Sequence, residues 1–325
     1  MNISKRLRRM RNKPSLRGMV CETRVTMDDL VQPVFVDDNL KNPRPISSLP
    51  GMSAYPIDHL EGHIGDLSER GVKAVMVFGI PSVKDPQASS AFGADGISQR
   101  AVERIKETSD MIVMADACLC EYTDHGHCGI LKDGRVDEVA TLPILGQVAV
   151  SLADAGADII APSGMMDGAV CKMRESLDDS GHDMVPMMSY AAKFHSALYG
   201  PFREAACSAP KSGDRSSYQI DPANRREAIL SVDRDIEDGA DIIMVKPALS
   251  SLDIISACRS MYDRPLAAYQ VSGEYAMVMN ADAAGILDGR KVMIETLTAI
   301  KRAGADIIVS YYSSSYLDSS MEVRI

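Results

Sequence analysis

The pentapeptide GADII occurs three times in this chain, at 156–160, 239–243 and 304–308. Each copy follows an amphipathic segment with helical periodicity and leads into a short apolar run. A glycine directly after a helical pattern is typical of a helix C-cap, and the apolar run is typical of a buried strand. The repeat therefore predicts a unit of helix, glycine turn and strand, of which SERGVKAVMVFGI at 68–80 is a looser copy.

Strand-like apolar runs recur along the whole chain, mostly separated by helical patterns. They are LVQPVFV (30–36), AVMVFGI (74–80), MIVMADACL (111–119), DIIAPS (158–163), VPMMSYAA (185–192), DIIMVKP (241–247), PLAAYQV (265–271) and DIIVSYY (306–312). Apolar strands that alternate with helices indicate a parallel sheet covered on its faces. Eight units favour an α/β fold of the (β/α)8 TIM-barrel type. A doubly wound open sheet is the alternative, but no nucleotide-binding glycine motif follows any strand.

Composition and charge limit the classes of protein. The 325 residues are 46% hydrophobic and 25% charged, as in an ordinary globular protein, and no apolar run is long enough for a membrane span. The net charge of −10 argues against nucleic acid as the main partner. We expect a cytoplasmic protein without a signal peptide, since three of seven cysteines lie in one cluster rather than in a disulfide framework.

The charge is unevenly distributed, which divides the chain into two regions. Residues 1–24 contain eight Lys or Arg and one acid, so they form a basic arm on an acidic body, 25–325, that is predicted to be one catalytic barrel. Such an arm indicates contact with an acidic surface, for example a neighbouring subunit. A solvated tail is the alternative.

The third predicted strand ends in a cluster of cysteines, CLCEYTDHGHCG at 118–129. Because side chains alternate along a strand, Asp116, Cys118 and Cys120 should share a face, and the following loop can return Cys128 to them. Three thiolates suit zinc, and a fourth position left open is typical of a catalytic rather than a structural zinc site. Buried apolar cysteines are the alternative. His125 and His127 are assigned to the surroundings of the site, with His127 as a candidate for a weaker metal contact.

Two lysines lie at the ends of predicted neighbouring strands, Lys193 in the fifth and Lys246 in the sixth. In a barrel these ends meet at one face, where catalytic residues are found. Alternation predicts Ser189 and Ala191 on the same face as Lys193. Close, partly desolvated lysines each disfavour the charged form, and a neutral lysine forms Schiff bases with ketones.

A long segment, about 194–221, separates Lys193 from the next helix and is predicted to be an active-site lid. Its Arg203, Arg215 and Gln219 suit a carboxylate substrate, because a guanidinium matches carboxylate geometry. The next helix is predicted to begin at Asp221 and Pro222. The seventh and eighth strands end at Ser272 and Tyr311, which can donate hydrogen bonds to a second carboxylate.

Several motifs together resemble those of one enzyme family. They are DACLCEYTDHGHCG, SYAAKFHSALYGPFREAA, GDRSSYQIDPANRREA, GADIIMVKPA, AYQVSGEYAM and IKRAGADIIVSYY, and the arm RLRRMRNKPSLRGMVCET is also similar. Over nearly its full length the chain resembles the porphobilinogen synthase, or delta-aminolevulinic acid dehydratase, family. The resemblance implies a TIM-barrel hydro-lyase of tetrapyrrole biosynthesis that condenses two 5-aminolevulinate molecules to porphobilinogen with loss of two waters.

The resemblance also implies roles for individual residues. Lys246 would form the Schiff base with the substrate bound first, and Lys193 would hold the second. Arg203, Arg215 and Gln219 would bind the carboxylate of the later molecule, and Ser272 and Tyr311 that of the first. Cys118, Cys120 and Cys128 would bind zinc, with Asp116, Ser163 and His127 as supporting residues.

Members of the family differ in metal use and in assembly, and the sequence indicates which type this chain resembles. It keeps all three cysteines and resembles the zinc type. Where many bacterial members have a glutamate for an allosteric magnesium, Ser231 stands here and Asp233 is out of register, so no allosteric magnesium is expected. The resemblance implies a homo-octamer in which the arm contacts a neighbouring subunit. Two other hypotheses remain: an aldolase that uses one Schiff-base lysine, and a zinc-binding or thiol redox protein without catalysis.

Overall fold

A computed structural model describes residues 6–322, with side chains described up to residue 319. Its centre is a barrel of parallel strands. These are β1 (Leu30–Asp37), β2 (Ala74–Ile80), β3 (Ile112–Ala117), β4 (Ile159–Pro162), β5 (Met188–Lys193), β6 (Ile242–Lys246), β7 (Leu266–Gln270) and β8 (Ile307–Ser310). They pair in the order β4-β3-β2-β1-β8-β7-β6-β5. A parallel bridge between Ile160 and Met187 joins the two ends and closes the ring.

Helices cover the outside of this barrel. The α-helices are α1 (Pro14–Met19), α2 (Ile57–Glu69), α3 (Ile97–Thr108), α4 (Glu138–Asp154), α5 (Ala169–Asp179), α6 (Gly200–Ala205), α7 (Arg225–Glu237), α8 (Leu252–Met261), α9 (Ser272–Ala283), α10 (Gly289–Ala303) and α11 (Tyr316–Glu322). Short 3-10 helices lie at Leu7–Arg11, Met27–Asp29, Ser89–Ala91, Ala197–Tyr199, Leu249–Ser251 and Ser313–Ser315. Two small ribbons pair Arg44–Pro45 with Ser53–Tyr55 and Leu131–Lys132 with Arg135–Val136. The predicted (β/α)8 barrel is confirmed.

The GADII repeat marks three equivalent corners of the barrel. Its glycines have φ values of 94°, 103° and 125°, which a residue with a side chain rarely adopts. The aspartate of each copy accepts a hydrogen bond from a backbone N–H at the start of the preceding strand. The pairs are Asp158 with Val113 (2.7 Å), Asp241 with Met187 (2.8 Å) and Asp306 with Leu266 (2.9 Å). The repeat therefore satisfies backbone N–H groups that strand pairing leaves without a partner at the N-terminal ends of the strands.

The segment 194–221, which was predicted to be a lid and is called the lid below, packs against the loop after β3. Its two ends pair with each other, since His195 N donates to Ile220 O (2.7 Å) and Ile220 N donates to Lys193 O (3.1 Å). The prediction that the next helix begins at Asp221 is wrong, because α7 begins at Arg225. Asp221 Oδ1 instead accepts from Ala223 N (2.8 Å), a local turn that competes with helix capping.

The arm lies apart from the core. Among the described arm residues, neither Leu7–Arg11 nor Pro14–Met19 buries a side chain, while Lys5 lies outside the described residues. Within residues 6–322, no helix has both the length and the apolar character needed to cross a membrane.

Candidate active site

The three predicted cysteines lie together at the mouth of the barrel. Cys118 and Cys120 follow β3 directly, and Cys128 returns from the loop. All three are buried, their sulfurs lie within 4.8 Å of one another, and the Cys118 and Cys120 sulfurs are 3.4 Å apart. Tetrahedral zinc with Zn–S bonds of about 2.3 Å separates its sulfurs by about 3.8 Å. The arrangement therefore fits a single zinc ion held by three sulfurs.

The charges of the thiols support this fit. Hydrogen bonds from Cys118 and Cys120 hold the pKa of Cys128 well below its ordinary value against the effect of burial, and Arg215 and Lys193 lower it further. Hydrogen bonds with Cys120 and Cys128, together with burial, raise the pKa of Cys118. Cys128 is thus favoured as a thiolate, the form of cysteine that binds metals.

Two carboxyl groups border the cysteine cluster. Cys120 Sγ donates to Glu121 Oε2 (3.1 Å), and Ser163 Oγ donates to Asp116 Oδ2 (3.1 Å). Burial is the main cause that raises the pKa of each carboxyl group to about 8. Their other oxygens, Asp116 Oδ1 and Glu121 Oε1, have no hydrogen-bond partner. Sequence reasoning singled out Asp116 but missed Glu121, whose place beside Cys120 was the available signal.

Lys193 and Lys246 occupy paired positions on β5 and β6, and each is only 5% exposed. Lys193 Nζ donates to Ser163 O (2.6 Å), which ties this lysine to the end of β4. The Lys246 ammonium lies over the Tyr269 ring, 4.0 Å from its centre, with the rings of Tyr190, Tyr199 and Phe202 at 5.0–5.3 Å. Burial, with the like charge of Lys193, lowers the pKa of Lys246 to about 7. A large fraction of this amine is therefore neutral near pH 7.

The surroundings of Lys193 differ from those predicted by strict alternation. The pairing of β5 with β6 shifts register, with Ser189 opposite Ile243 but Ala192 opposite Val245, so β5 holds one extra residue. This bulge turns Ser189 toward α7, where it binds Asp235, and turns Tyr190 into the barrel, where its hydroxyl reaches Met76 Sδ (3.1 Å). The expectation that Ser189 lies on the same face as Lys193 was wrong. The aromatic rings around Lys246 were also missed.

The lid carries the predicted cationic and amide groups, and its arginines lie close enough to the cysteines to interact with them electrostatically. Arg215 is buried and donates through Nη2 to Gly126 O (3.0 Å) and Ser208 O (2.6 Å). Burial acts against the charge on Arg215, but the Cys128 and Cys120 sulfurs outweigh it and raise its pKa. Both amide atoms of the buried Gln219, and the Nε atoms of Arg203 and Arg215, lack partners. These unpaired polar atoms indicate the position of a polar ligand.

Ser272 and Tyr311 lie just after the ends of β7 and β8. Ser272 opens α9; its Oγ accepts from Phe202 N (3.0 Å) and donates to Leu198 O (3.1 Å). The Tyr311 hydroxyl lies 3.4 Å from that of Tyr269, beside Lys246. Ser272 therefore contacts the lid in this arrangement, and Tyr311 contacts the aromatic surroundings of Lys246.

His127 does not point a free nitrogen at the cysteines. Its Nε2 lies 2.9 Å from Ser212 O and its Nδ1 lies 3.1 Å from the Tyr218 hydroxyl, both in the lid. His125 Nδ1 accepts from His127 N (3.1 Å). Neither ring nitrogen of His127 is free for the metal contact that was considered for it.

Comparison with known proteins identifies the family of this chain. The family model for delta-aminolevulinic acid dehydratase matches residues 4–319. The chain belongs to the delta-aminolevulinic acid dehydratase family. Delta-aminolevulinic acid dehydratase of Methanothermus sociabilis is 48% identical over 96% of this chain and 98% of its own length. That of Bacillus subtilis is 47% identical over 95% of each chain.

A solved structure shares the fold over almost the whole chain. Delta-aminolevulinic acid dehydratase (porphobilinogen synthase) from Toxoplasma gondii, in complex with the reaction product porphobilinogen, has a TM-score of 0.95 and 36% identity. The match covers 98% of this chain and 92% of that chain. The predicted family, and with it the enzyme class of 5-aminolevulinate dehydratase, a hydro-lyase of tetrapyrrole biosynthesis, is confirmed.

Proposed function

We propose that this chain condenses two 5-aminolevulinate molecules to porphobilinogen through Schiff bases on Lys246 and Lys193. One observation carries the proposal: two buried lysines occupy paired positions at the strand ends, and the pKa of one is about 7. A single buried lysine would serve an aldolase equally well. Two adjacent lysines match a reaction that must hold two ketones side by side.

The chemistry of each lysine follows from its surroundings. The neutral Nζ adds to the ketone carbon of a substrate, the C=O bond is replaced by C=N, and the oxygen leaves as water. The aromatic rings around Lys246 exclude water and limit the reverse reaction. Formation of the C–C and C–N bonds between the two substrates then releases the amines of both lysines. The overall balance is two 5-aminolevulinates to one porphobilinogen and two waters.

The carboxylates of the two substrates are assigned to two different groups of residues. Arg203, Arg215 and Gln219 bind that of the later molecule, for which the unpaired Gln219 amide and Arg203 Nε are the support. Ser272 and Tyr311 bind that of the first. Asp116 and Ser163, joined by a hydrogen bond, orient the substrate amine beside Lys193.

Cys118, Cys120 and Cys128 would hold zinc. Zinc bound there with an open fourth position would supply Lewis acidity beside the second substrate. The buried cysteines, their mutual distances and the thiolate character of Cys128 support zinc rather than a harder cation. Arg215 balances the negative charge of the cluster.

Trapping with borohydride tests the central claim. Incubation of the enzyme with 5-aminolevulinate and borohydride should attach reduced substrate to Lys246, as located by peptide mass mapping. Lys246→Met should lose this adduct and the formation of porphobilinogen. If neither Lys246 nor Lys193 carries an adduct in the wild type, the Schiff-base proposal is wrong.

We also propose a cytoplasmic homo-octamer in which residues 1–24 contact a neighbouring subunit and 25–325 form the catalytic domain. The support is the excess of basic residues in the arm and its exposed helices, set against the acidic remainder. Sedimentation of the full chain and of a chain that begins at residue 25 tests this. The truncated chain should form smaller assemblies; identical assemblies would contradict a role for the arm.

A further inference from the structure

The loop between Cys120 and Cys128, called the cysteine loop here, packs against the lid at its apex. Three consecutive residues before Cys128 each contact the lid: His125 O accepts from Lys211 N (3.0 Å), Gly126 O from Arg215, and His127 binds Ser212 and Tyr218. The lid backbone passes so close to Gly126 that a Cβ there would lie 2.4 Å from Ala209 O. The lid and the cysteine loop therefore pack as one unit.

His127 contributes two side-chain hydrogen bonds to this unit. The Ser212 carbonyl can only accept, so Nε2 of His127 carries the proton and donates to it. In the neutral ring Nδ1 is then bare and accepts from the Tyr218 hydroxyl. The ring also packs against that of Tyr218 at an angle of 68°. The side chain is 7% exposed, so its hydrogen bonds compete little with water.

We propose that His127 is a positioning residue that fixes the lid segment 212–218 against the loop ending in Cys128. Arg215 lies inside this segment and Gln219 directly follows it, so His127 sets their position over the barrel mouth. The inference rests on the proposed function in one respect, that Arg215 and Gln219 bind a substrate carboxylate. It predicts that loss of His127 weakens substrate binding while the metal is retained.

Two variants test the proposal. His127→Phe keeps the ring but removes both hydrogen bonds, and Tyr218→Phe removes one. Loss of a net hydrogen bond of about 1 kcal/mol changes an equilibrium about fivefold. We expect KM for 5-aminolevulinate to rise about tenfold or more in His127→Phe and about fivefold in Tyr218→Phe, with kcat changed less than about threefold.

Readouts independent of activity complete the test. Trypsin should cleave the lid at Lys211 and Arg215 faster in both variants, and bound metal should stay at the wild-type ratio.

Loss of metal from His127→Phe with unchanged lid cleavage would overturn the proposal in favour of a metal ligand. Unchanged KM and cleavage would also overturn it. If His127→Phe does not fold, Tyr218→Phe decides by the same criteria. Failure of the proposed function itself would appear in the wild type, as absence of porphobilinogen, while lid cleavage would still report on His127.

Discussion

Lys193 and Lys246 lie side by side on neighbouring strands, at paired backbone positions where β5 and β6 both end. The pairing brings two amines into the buried barrel mouth, where burial and the like charge of Lys193 disfavour the charge on Lys246. Lys246 responds with a pKa of about 7, while Lys193 is held by the Ser163 carbonyl. The two lysines are therefore equivalent in register but different in environment, which suits two substrate molecules with different fates.

The burial of Lys246 should lower the stability of the fold. Its pKa in the folded chain is about 7, below the value of about 10.4 for an unfolded lysine, so the penalty is complete below pH 7 and fades as the pH rises toward 10.4. Lys246→Met should abolish activity yet raise the free energy of unfolding by about 1–4 kcal/mol, as when buried charges are replaced by apolar residues. Thermal unfolding at pH 6 and pH 9 should show the larger gain at pH 6.

The exposed Lys132 provides the control for this experiment. Lys132→Met should leave the melting temperature almost unchanged at both pH values. A Lys246→Met variant that melts below the wild type at pH 6 would mean that the amine stabilises its aromatic surroundings.

Cys120→Ala should remove the metal without unfolding the barrel, because the sulfur lies beyond the end of β3 rather than between sheet and helices. Substitution of residues that only support metal ligands typically costs about 10–100-fold, so loss of a ligand should lower activity more than about 100-fold. Metal analysis and circular dichroism measure the two effects. Cys258→Ala, a buried cysteine in α8, is the matched control and should keep its metal. Unfolding of Cys120→Ala alone would show that the metal has a structural role.

Arg203 should act mainly in substrate binding. It is half-buried with an unpaired Nε, and a lysine in its place keeps the charge but not the two-pronged contact with a carboxylate. We expect KM to rise about tenfold in Arg203→Lys and about 100-fold in Arg203→Ala, since contacts of a carboxylate with a charged donor contribute about 1.5–3 kcal/mol. Steady-state kinetics measure this, with the exposed Arg226→Ala as control. A fall in kcat at constant KM would exclude this role.

Magnesium should have little effect on the zinc-loaded enzyme. Ser231 on α7 offers one neutral hydroxyl, and the cationic Arg234 lines the same small cavity and pairs with Asp167 (2.7 Å). Magnesium prefers carboxylate oxygens, so activity should change less than about twofold on its addition. The nearby Asp233 is engaged by the Tyr262 hydroxyl (2.7 Å). Strong stimulation in a porphobilinogen assay would show that other residues bind magnesium.

The regular parts of the barrel were predictable because local patterns determine them. The repeat predicted the glycine turns, the apolar runs predicted the strands and the lysines at two of their ends, and each predicted run overlaps a strand of the barrel. The bulge in β5 was not predictable, since it depends on register with β6 and not on composition. The start of α7 was misplaced because Asp221 stabilises a turn as readily as a helix.

The sequence by itself determined the chemistry that is available: three cysteines in one loop, two strand-end lysines and a lid with arginines. Each of these is carried by residue type and spacing along a repeat of near-constant geometry. Only the tertiary structure decided how these groups act on one another. The aromatic rings that surround Lys246 come from β5, β7 and the lid. The hydrogen-bond partners of His127 also come from the lid, which is distant from it in the chain. Burial lowers the pKa of Lys246 to about 7. Hydrogen bonds to Ser212 and Tyr218 hold the His127 ring against the lid.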